Sequence, residues 1–380
     1  MCVDSLLKFS LIGANEIMHS IAINFVGDVM LGEVFENYKR GVLSKVKKEG
    51  FDPFAHCRSD FQSGNATIAN LECVLSDKTD QSAPFSELLR APANCVKLLK
   101  AGGISAVSLA NNHTHDHGEE AFQDMIDTLN QNGICTFGSD LKGVSQDVPV
   151  SLDVGYFRLG LLAYNLANLS LGGMEALVGR VCQSTRRHRE RFHLLVVSMH
   201  WGLEYVDFPP PWVVQQGKRL IDNGVDVVYG HHSHRVQGVA RYRHGVIAPS
   251  LGNFVFDSRL YDNRITGILR LTLNGSRAEM GSELLPYVIN RSFQPVPAPQ
   301  LAGELRRRTR ILENLLKADD RQCRLWTKRA VWNSGRGHLY NRIQMRVVFL
   351  LRILRYRPHL WKILTRKITR GSLFGKPTLQ

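Results

Sequence analysis

The chain has 380 residues, of which 44% are hydrophobic and 22% are charged. This length suits one large domain or two ordinary ones, and the apolar content excludes a chain that is disordered throughout. No run of about 18 uncharged apolar residues occurs, so a membrane-spanning helix is not expected. The seven cysteines are scattered and form no C-x-x-C pair, which indicates reduced, structural thiols in a compartment like the cytosol.

The net charge of +14 is concentrated in residues 301–380. This part holds 20 of the 48 Lys and Arg residues but only 4 of the 34 Asp and Glu residues. The rest of the chain is therefore nearly neutral, and its bulk charge does not indicate a class of substrate.

The sequence divides into four segments. Residues 1–20 form a leader of uncertain status, which lacks the long apolar region and the cleavage site of a secretory signal. Residues 21–290 form the main domain. Residues 291–302 form a Pro-rich linker, because the three prolines within residues 294–299 favour an extended backbone. Residues 303–380 form a basic region with helical spacing.

Eight short apolar runs in the main domain predict β-strands. They are continuous and do not alternate with polar residues, which is typical of strands that are buried on both faces and covered by helices. Residues 119–130 and 212–222 carry apolar residues at helical spacing, and an Asn-Gly pair follows each. Alternating strands and helices indicate an α/β architecture. The eight runs are residues 21–27, 66–71, 104–110, 159–163, 194–199, 225–230, 245–249 and 266–273.

Polar residues that can bind metal ions follow five of these runs. The clusters are Asp28, Asn70 with Glu72, residues 111–117 (Asn-Asn-His-Thr-His-Asp-His), His200, and residues 231–234 (His-His-Ser-His). In open α/β sheets, sites form outside the carboxyl ends of the strands, so these clusters are expected to meet at one edge. Their mixture of oxygen and imidazole donors is typical of a metal site, and the absence of cysteine from it argues against structural zinc.

Each cluster, taken alone, also fits an ordinary structural role. An Asp after a strand is commonly a turn residue, and Asn or Glu beside it can cap a helix or stay solvated. Residues 111–117 could be a polar loop that caps the next helix, and His200 could be a strand-edge histidine. Even the histidines of residues 231–234 could lie on the surface without a function. The metal interpretation depends on all five clusters acting together.

These segments resemble the CapA family of capsule and poly-γ-glutamate biosynthesis proteins, whose domain is related to calcineurin-like metallophosphatases. The resemblance covers residues 22–257 and omits the leader and the basic region. It implies an α/β (α+β) fold, in which a four-layer α/β/β/α metallophosphatase-like sandwich has two sheets at its centre and is followed by a helical basic C-terminal tail. The matching motifs are Gly27-Asp28-Val29-Met30-Leu31-Gly32, Asn70-Leu71-Glu72, Leu89-Arg90-Ala91-Pro92, Ser108-Leu109-Ala110-Asn111-Asn112-His113 with Asp116 and Gly118, His200-Trp201-Gly202-x-Glu204-Tyr205, Gly230-His231-His232-Ser233-His234 and Ser250-Leu251-Gly252-Asn253-Phe254-Val255-Phe256.

The resemblance also implies roles for individual residues and one or two divalent metal ions of the Mn, Fe or Zn class. His113 resembles the histidine that protonates the leaving group, and Asp116 could orient its imidazole. Carried over position by position, the metal ligands are Asp28, Glu72, Asn112, His200, His232 and His234, with His231 as a candidate substitute for one imidazole. The substrate contacts that the resemblance suggests are Arg90, Glu204 and Asn253.

Two positions depart from the usual metallophosphatase pattern. Met30 stands where a histidine usually follows the first aspartate by two residues, and Asn70-Leu71-Glu72 replaces the Gly-Asp of the second motif. The CapA-like pattern shares both changes. They leave a one-metal site and a two-metal site open.

Two functions therefore stay open at this point. In the first, the protein is a metal-dependent hydrolase in which metal-activated water attacks a phosphoryl or carbonyl group and His113 acts as general acid. In the second, it is a non-catalytic polymer-assembly or export factor that uses the metal site to bind an anionic substrate. The ligand set favours the first, and Met30 favours the second. The resemblance implies an anionic polymer or a phosphorylated small molecule as the partner.

The basic region has an amphipathic pattern over residues 336–370, which Pro358 interrupts. One interpretation is a helix that packs on the main domain and exposes a basic face. Another is attachment of residues 303–380 to an anionic membrane surface, and binding to nucleic acid is the least favoured. The expected location is the cytoplasm, peripheral to the inner face of the cell membrane.

Overall fold

The computed structural model describes residues 20–328 except 49, 79–87, 140–146, 168, 275–279, 320, 323 and 327. The leader up to residue 19 and the amphipathic pattern of residues 336–370 lie outside the described residues, so the predictions made for them stay predictions. Among the described helices, none combines the length and the apolar content that crossing a membrane requires.

The described part of the chain forms strands and helices that alternate over most of its length. The strands are β1 (Ile21–Val29), β2 (Ala66–Leu71), β3 (Val74–Leu75), β4 (Arg90–Ala91), β5 (Ala106–Ser108), β6 (Cys135–Phe137), β7 (Val150–Val154), β8 (Phe157–Asn165), β9 (Leu194–His200), β10 (Val227–His231), β11 (Ala240–Tyr242), β12 (Gly245–Ala248), β13 (Asn253–Val255), β14 (Ile265–Leu273), β15 (Met280–Ile289) and β16 (Pro295–Pro297). The helices are α1 (Val42–Val46), α2 (Arg58–Gln62), α3 (Val96–Gly102), α4 (Gly118–Gln131), α5 (Leu171–His188), α6 (Pro211–Asp222) and α7 (Ala302–Lys317).

Two sheets contain nearly all of these strands. The first has the order β16-β15-β14-β1-β2-β5-β6, and β13 pairs with the end of β1. Its strands β1, β2, β5 and β6 run parallel, whereas β14, β15 and β16 add an antiparallel side. The second sheet has the order β11-β12-β10-β9-β8-β7, with β8, β9, β10 and β12 parallel. The parallel strands bring their carboxyl ends to one edge of each sheet.

The two sheets pack face to face, and helices cover their outer faces. Ile23 and Phe25 of β1 share one core with Val196 of β9 and Val227 of β10, so apolar residues fill the space between the sheets. A second core lies between the first sheet and α4, and a third lies between the second sheet and helices α5, α6 and α7. Each large side chain buried in this way contributes about 1.5–3 kcal/mol. The expected four-layer α/β/β/α order is confirmed.

The predicted strands and helices are confirmed as well. All eight apolar runs contain a strand, and the two helical patterns correspond to α4 and α6. In α4, Phe122, Met125 and Leu129 are buried, as their spacing predicts. Most of the remaining strands have two or three residues, which is too short for a pattern of alternation to be recognised.

The stretch predicted as a linker, residues 291–302, contains regular structure. Pro295–Pro297 is the edge strand β16, which pairs antiparallel with β15, so this stretch belongs to the first sheet. Proline is tolerated there because an edge strand leaves one side without partners. The helix α7 follows almost at once and buries Leu312 and Leu315 against the second sheet's helices. The start of the basic region is therefore packed on the main domain, and the boundaries of the four segments stay a prediction.

Candidate metal centre

The predicted ligands lie where the carboxyl ends of the central strands of both sheets meet. Asp28 of β1 is paired with Asn70 of β2 in the first sheet, and His231 of β10 is paired with His200 of β9 in the second. The two sheets come together here, because His231 Nδ1 lies 2.8 Å from Asp28 Oδ1. The fold therefore brings residues that are far apart in the sequence into one buried site.

Asp28, Glu72 and His234 form the centre of this site. One ligand atom of each lies within 4.8 Å of the others, and all three residues are buried. His234 Nδ1 is 3.5 Å from Asp28 Oδ2, and His234 Nε2 is 3.9 Å from Glu72 Oε1. These two carboxylate oxygens have no hydrogen-bond partner. Unpartnered, buried carboxylate oxygens are costly, so this donor set fits a divalent cation.

The pKa values of the two carboxyl groups are shifted in opposite directions. Burial raises the pKa of Glu72 well above its usual range, and the charge of Asp28 raises it further. Burial alone would also raise the pKa of Asp28, but the imidazoles of His231 and His234 beside it hold that pKa well below its usual range. A proton on Glu72 therefore relieves the repulsion in the metal-free site, and a bound cation would replace that proton.

His200 and His232 add two neutral imidazoles beside this centre. Their ring centroids are 4.9 Å apart, and the Nδ1 atoms of both rings are buried without a hydrogen-bond partner. Burial lowers the pKa of His200 well below its usual range and lowers the pKa of His232 to about 4. A neutral imidazole is the form that binds a metal ion, so burial prepares both rings for that role.

The backbone of residues 231–234 is strained. His232 has a φ angle of 81° and His234 has a φ angle of 56°, both in the left-handed region that residues with a Cβ rarely adopt. Neighbouring contacts hold this conformation: the backbone N–H of Tyr205 donates to the carbonyl of Ser233 at 2.8 Å, and the Ser233 hydroxyl donates to the carbonyl of Arg235 at 2.9 Å. Strain of this kind clusters at functional sites.

His113 lies at the edge of the site with its two nitrogens in different environments. Its Nδ1 is 2.7 Å from Asp116 Oδ2, and its Nε2 is 4.0 Å from Glu72 Oε1. The side-chain amide of Asn112 lies between His113 and His200: its Nδ2 is 3.1 Å from His113 Nε2, and its Oδ1 is 2.7 Å from His200 Nε2. The carboxylate of Asp116 therefore fixes the proton on Nδ1, which leaves Nε2 facing the centre.

A cavity of about 350 Å³ opens beside the centre. His113, His234, Glu204 and Asn253 line it, together with Tyr205, whose ring stacks on His234 at 5.5 Å. Its lining also includes three ionisable side chains that no sequence pattern indicated. These are Glu36, Asp257 and Arg259.

The three suggested substrate contacts have different surroundings. Glu204 is exposed in the cavity wall. Asn253 is buried, and its Oδ1 is 2.9 Å from His234 Nδ1, so it orients this ring. Arg90 is not among the residues that line the cavity, and its Nη1 donates to the carbonyl of Ser76 at 2.8 Å.

Asn70 links the two carboxyl groups of the site, and Asn111 supports Asn70; the sequence analysis placed both in its polar clusters but gave neither a ligand role. Asn70 Nδ2 donates to Asp28 Oδ1 at 2.9 Å and lies 3.5 Å from Glu72 Oε2. Asn111 Nδ2 donates to the carbonyl of Leu71 at 2.8 Å and lies 3.3 Å from Asn70 Oδ1. The spacing of Asn70 two residues before Glu72, at the end of β2, is the sequence signal for this supporting role.

Comparisons with known proteins give the same family as the sequence motifs. The chain is 27% identical over 331 residues to the capsule biosynthesis protein CapA of Bacillus anthracis. This alignment covers 81% of this chain and 76% of that protein. It is 24% identical over 310 residues to the PGA biosynthesis protein CapA of Bacillus subtilis, with 77% of each chain covered. A hypothetical protein from Thermus thermophilus, solved by crystallography, overlaps 70% of this chain and 99% of its own at 14% identity and a TM-score of 0.44, which is too low to support an argument.

The family model described as bacterial capsule synthesis protein PGA_cap matches residues 22–258, which include every predicted ligand. The matched part holds both sheets' central strands and the candidate metal centre at their carboxyl ends. This match covers more than half of the chain, and the chain belongs to the PGA_cap family of bacterial capsule synthesis proteins.

Proposed function

We propose that this protein is a divalent-metal-dependent hydrolase in the biosynthesis of a capsule or a polyglutamate-type polymer. The chemistry is supported above all by the buried group of Asp28, Glu72 and His234, in which two carboxylate oxygens are unpartnered and Glu72 Oε1 lies 4.0 Å from His113 Nε2. The biological setting is supported by the names of the relatives, which are capsule and PGA biosynthesis proteins.

In this proposal, one or two ions of the Mn, Fe or Zn class supply a polarised substrate oxygen and a water of lowered pKa. Asp28, Glu72 and His234 hold the first ion, because their ligand atoms already converge. Further donors lie beside them, and His231 stays close to Asp28 as a substitute imidazole. These further donors are Asn112, His200 and His232.

His113 is the proposed general acid. In its protonated form both ring nitrogens are donors: Nδ1 donates to Asp116, and Nε2 gives its proton to the leaving group once the Asn112 amide, whose Nδ2 lies 3.1 Å away, turns aside. Asp116 keeps the ring in this orientation and stabilises its positive charge. The substrate would be an anionic polymer or a phosphorylated small molecule that enters through the cavity, which Glu204 and Arg259 line.

A second candidate function is a non-catalytic polymer-assembly or export factor that binds an anionic substrate at the same metal site. The observation that favours it is Met30, which is fully buried in the core and supplies no imidazole at a usual ligand position. A site with fewer ligands could bind substrate without turning it over.

Metal analysis combined with a substrate screen distinguishes the two functions. The purified protein is analysed for bound metal and assayed against phosphomonoesters, phosphodiesters and γ-glutamyl amides, next to Asp28→Asn and His113→Asn variants. A hydrolase requires bound metal in the wild type and activity that both variants lose. Bound metal without activity on any substrate would support the binding factor, and an absence of bound metal would contradict both.

We also propose that residues 303–380 place the protein at the inner face of the cell membrane. The excess of Lys and Arg in this region supports attraction to anionic lipid, at about 1 kcal/mol for each basic side chain near the surface. The apolar face of α7 is packed on the main domain, so membrane contact would come from residues beyond it. Nucleic acid is the less favoured polyanion for this region.

A further inference from the structure

The loop that carries three of the predicted ligands is contacted from behind by α7. We refer to residues 231–239 as the histidine loop. Arg308 of α7 is 3% exposed, and its Nη1 donates to the carbonyl of Val236 at 2.7 Å. One residue further along the helix, the hydroxyl of Thr309 accepts from the backbone N–H of Val239 at 3.2 Å. The helix lies beyond residues 22–258, which the family model matches.

The backbones of α7 and the histidine loop are in direct contact. Gly238 has a φ angle of 89°, and a Cβ atom added to it would lie 2.7 Å from the carbonyl oxygen of Arg308. Only glycine allows both this conformation and this approach. The side chain of Leu305 packs with that of Val236 in a small buried cluster, so apolar contact accompanies the hydrogen bonds.

An ion-pair network extends this contact to a second loop. The buried guanidinium of Arg308 donates to Glu304 Oε1 at 2.8 Å and lies 3.7 Å from Asp207 Oδ1. The same oxygen of Asp207 accepts from Arg235 Nη1 at 2.8 Å, and Arg235 belongs to the histidine loop. Asp207 therefore lies between an arginine of the loop and an arginine of α7, and the buried charges of these two arginines are stable only while their partners stay in place.

We infer that α7 is a positioning element for the metal centre, with Arg308 as the positioning residue. His232 and His234 have left-handed backbone conformations, which persist only where the surroundings impose them. Arg308 fixes the carbonyl of Val236, two residues after His234, and so helps to hold that conformation. The inference rests on the proposed metal site for its consequence in metal binding.

The test compares two neighbouring arginines of α7. Arg307→Met is the matched control, because Arg307 is 49% exposed and forms an ion pair with Glu304 of its own helix. Co²⁺ is titrated into metal-free protein, and its absorption bands report on the imidazole ligands. We expect Arg308→Met to weaken Co²⁺ binding about 10–100-fold, as loss of a supporting residue does, and Arg307→Met to leave it unchanged. Arg308→Lys, which keeps the charge and one donor, should recover part of the loss.

A second measurement does not depend on metal. Hydrogen exchange of the histidine loop in metal-free protein should be faster in Arg308→Met than in the wild type and in Arg307→Met. Equal exchange in the loop, or exchange that rises everywhere with a lowered unfolding temperature, would overturn the inference. If Arg308→Met does not fold, Thr309→Val, which removes the acceptor of the Val239 N–H, takes its place with the same expected results. A wild type that binds no Co²⁺ would contradict the proposed function, while the exchange result would still decide the role of α7.

Discussion

Replacing Glu72 with glutamine should stabilise the metal-free protein and abolish metal binding. Glu72 and Asp28 are both fully buried, and their ligand atoms lie within 4.8 Å of each other. Glutamine has nearly the same shape as glutamate, and its amide oxygen can keep the contact with Asn70 Nδ2, which is 3.5 Å long in the wild type. The change therefore removes a buried negative charge with little change in packing.

The magnitude follows from the distance between the two carboxyl groups. If both were ionised, an effective dielectric constant of about 20 would give a repulsion of about 3 kcal/mol at this separation. Because the pKa of Glu72 is raised in the folded state, its contribution to stability is complete below its ordinary value of 4.5 and is lost as pH rises toward the folded value. Each pH unit in that window costs about 1.4 kcal/mol.

The assay is thermal unfolding of chelator-treated protein between pH 5 and pH 8. The wild type should lose stability with rising pH more steeply than Glu72→Gln, and the variant should be the more stable protein at pH 8. Added Mn²⁺ should raise the unfolding temperature of the wild type alone, since it binds only the intact site. Parallel pH curves for the two proteins, or an equal response to Mn²⁺, would refute the reasoning.

Three further predictions use other parts of the structure. His113→Ala should lower turnover about 10²–10⁴-fold with metal content unchanged, whereas exposed His115→Ala should keep both; metal loss would make His113 a ligand. Gly230→Ala should lower the free energy of unfolding by about 1–3 kcal/mol, because a Cβ there would lie 1.9 Å from the carbonyl oxygen of Pro249. Thermal unfolding measures this loss, and an unchanged unfolding temperature would contradict the packing. Removing residues 329–380 should abolish salt-sensitive sedimentation with anionic vesicles and leave neutral vesicles unaffected; equal binding by the truncated protein would reject the membrane proposal.

The central strands could be predicted because their signal is local. A continuous apolar run followed by a polar cluster marks a buried parallel strand and the site at its end, as in Ile21–Val29 with Asp28. The outer strands β15 and β16 gave no such signal. β15 has exposed Gly, Ser and Glu among its first residues, and β16 contains two prolines. The pairing of each strand therefore depends on the neighbouring strand and not on its own sequence.

The residue types of the site were predictable, whereas its supporting contacts were not. Histidines and carboxylates stand out in a sequence, and their position after strands brings them together. The contact between Arg308 and Val236 joins residues 72 positions apart, and an arginine in a basic region gives no sign of being buried. Only the packing of α7 distinguishes Arg308 from its exposed neighbour Arg307.

The geometry of the donors bears on whether one or two ions bind. The ligand atoms of Asp28, Glu72 and His234 converge without any rearrangement. Within the described residues, this is the one group of three or more His, Cys, Asp or Glu side chains with converging ligand atoms. The oxygen of Asn112, a predicted ligand, is instead occupied by His200 Nε2 at 2.7 Å. A second ion at these side chains requires that hydrogen bond to break and the Asn112 amide to turn away from His113, whereas the first requires only the loss of a proton from Glu72. The two binding events should therefore differ in affinity, with the ion at the carboxylate pair the tighter of the two.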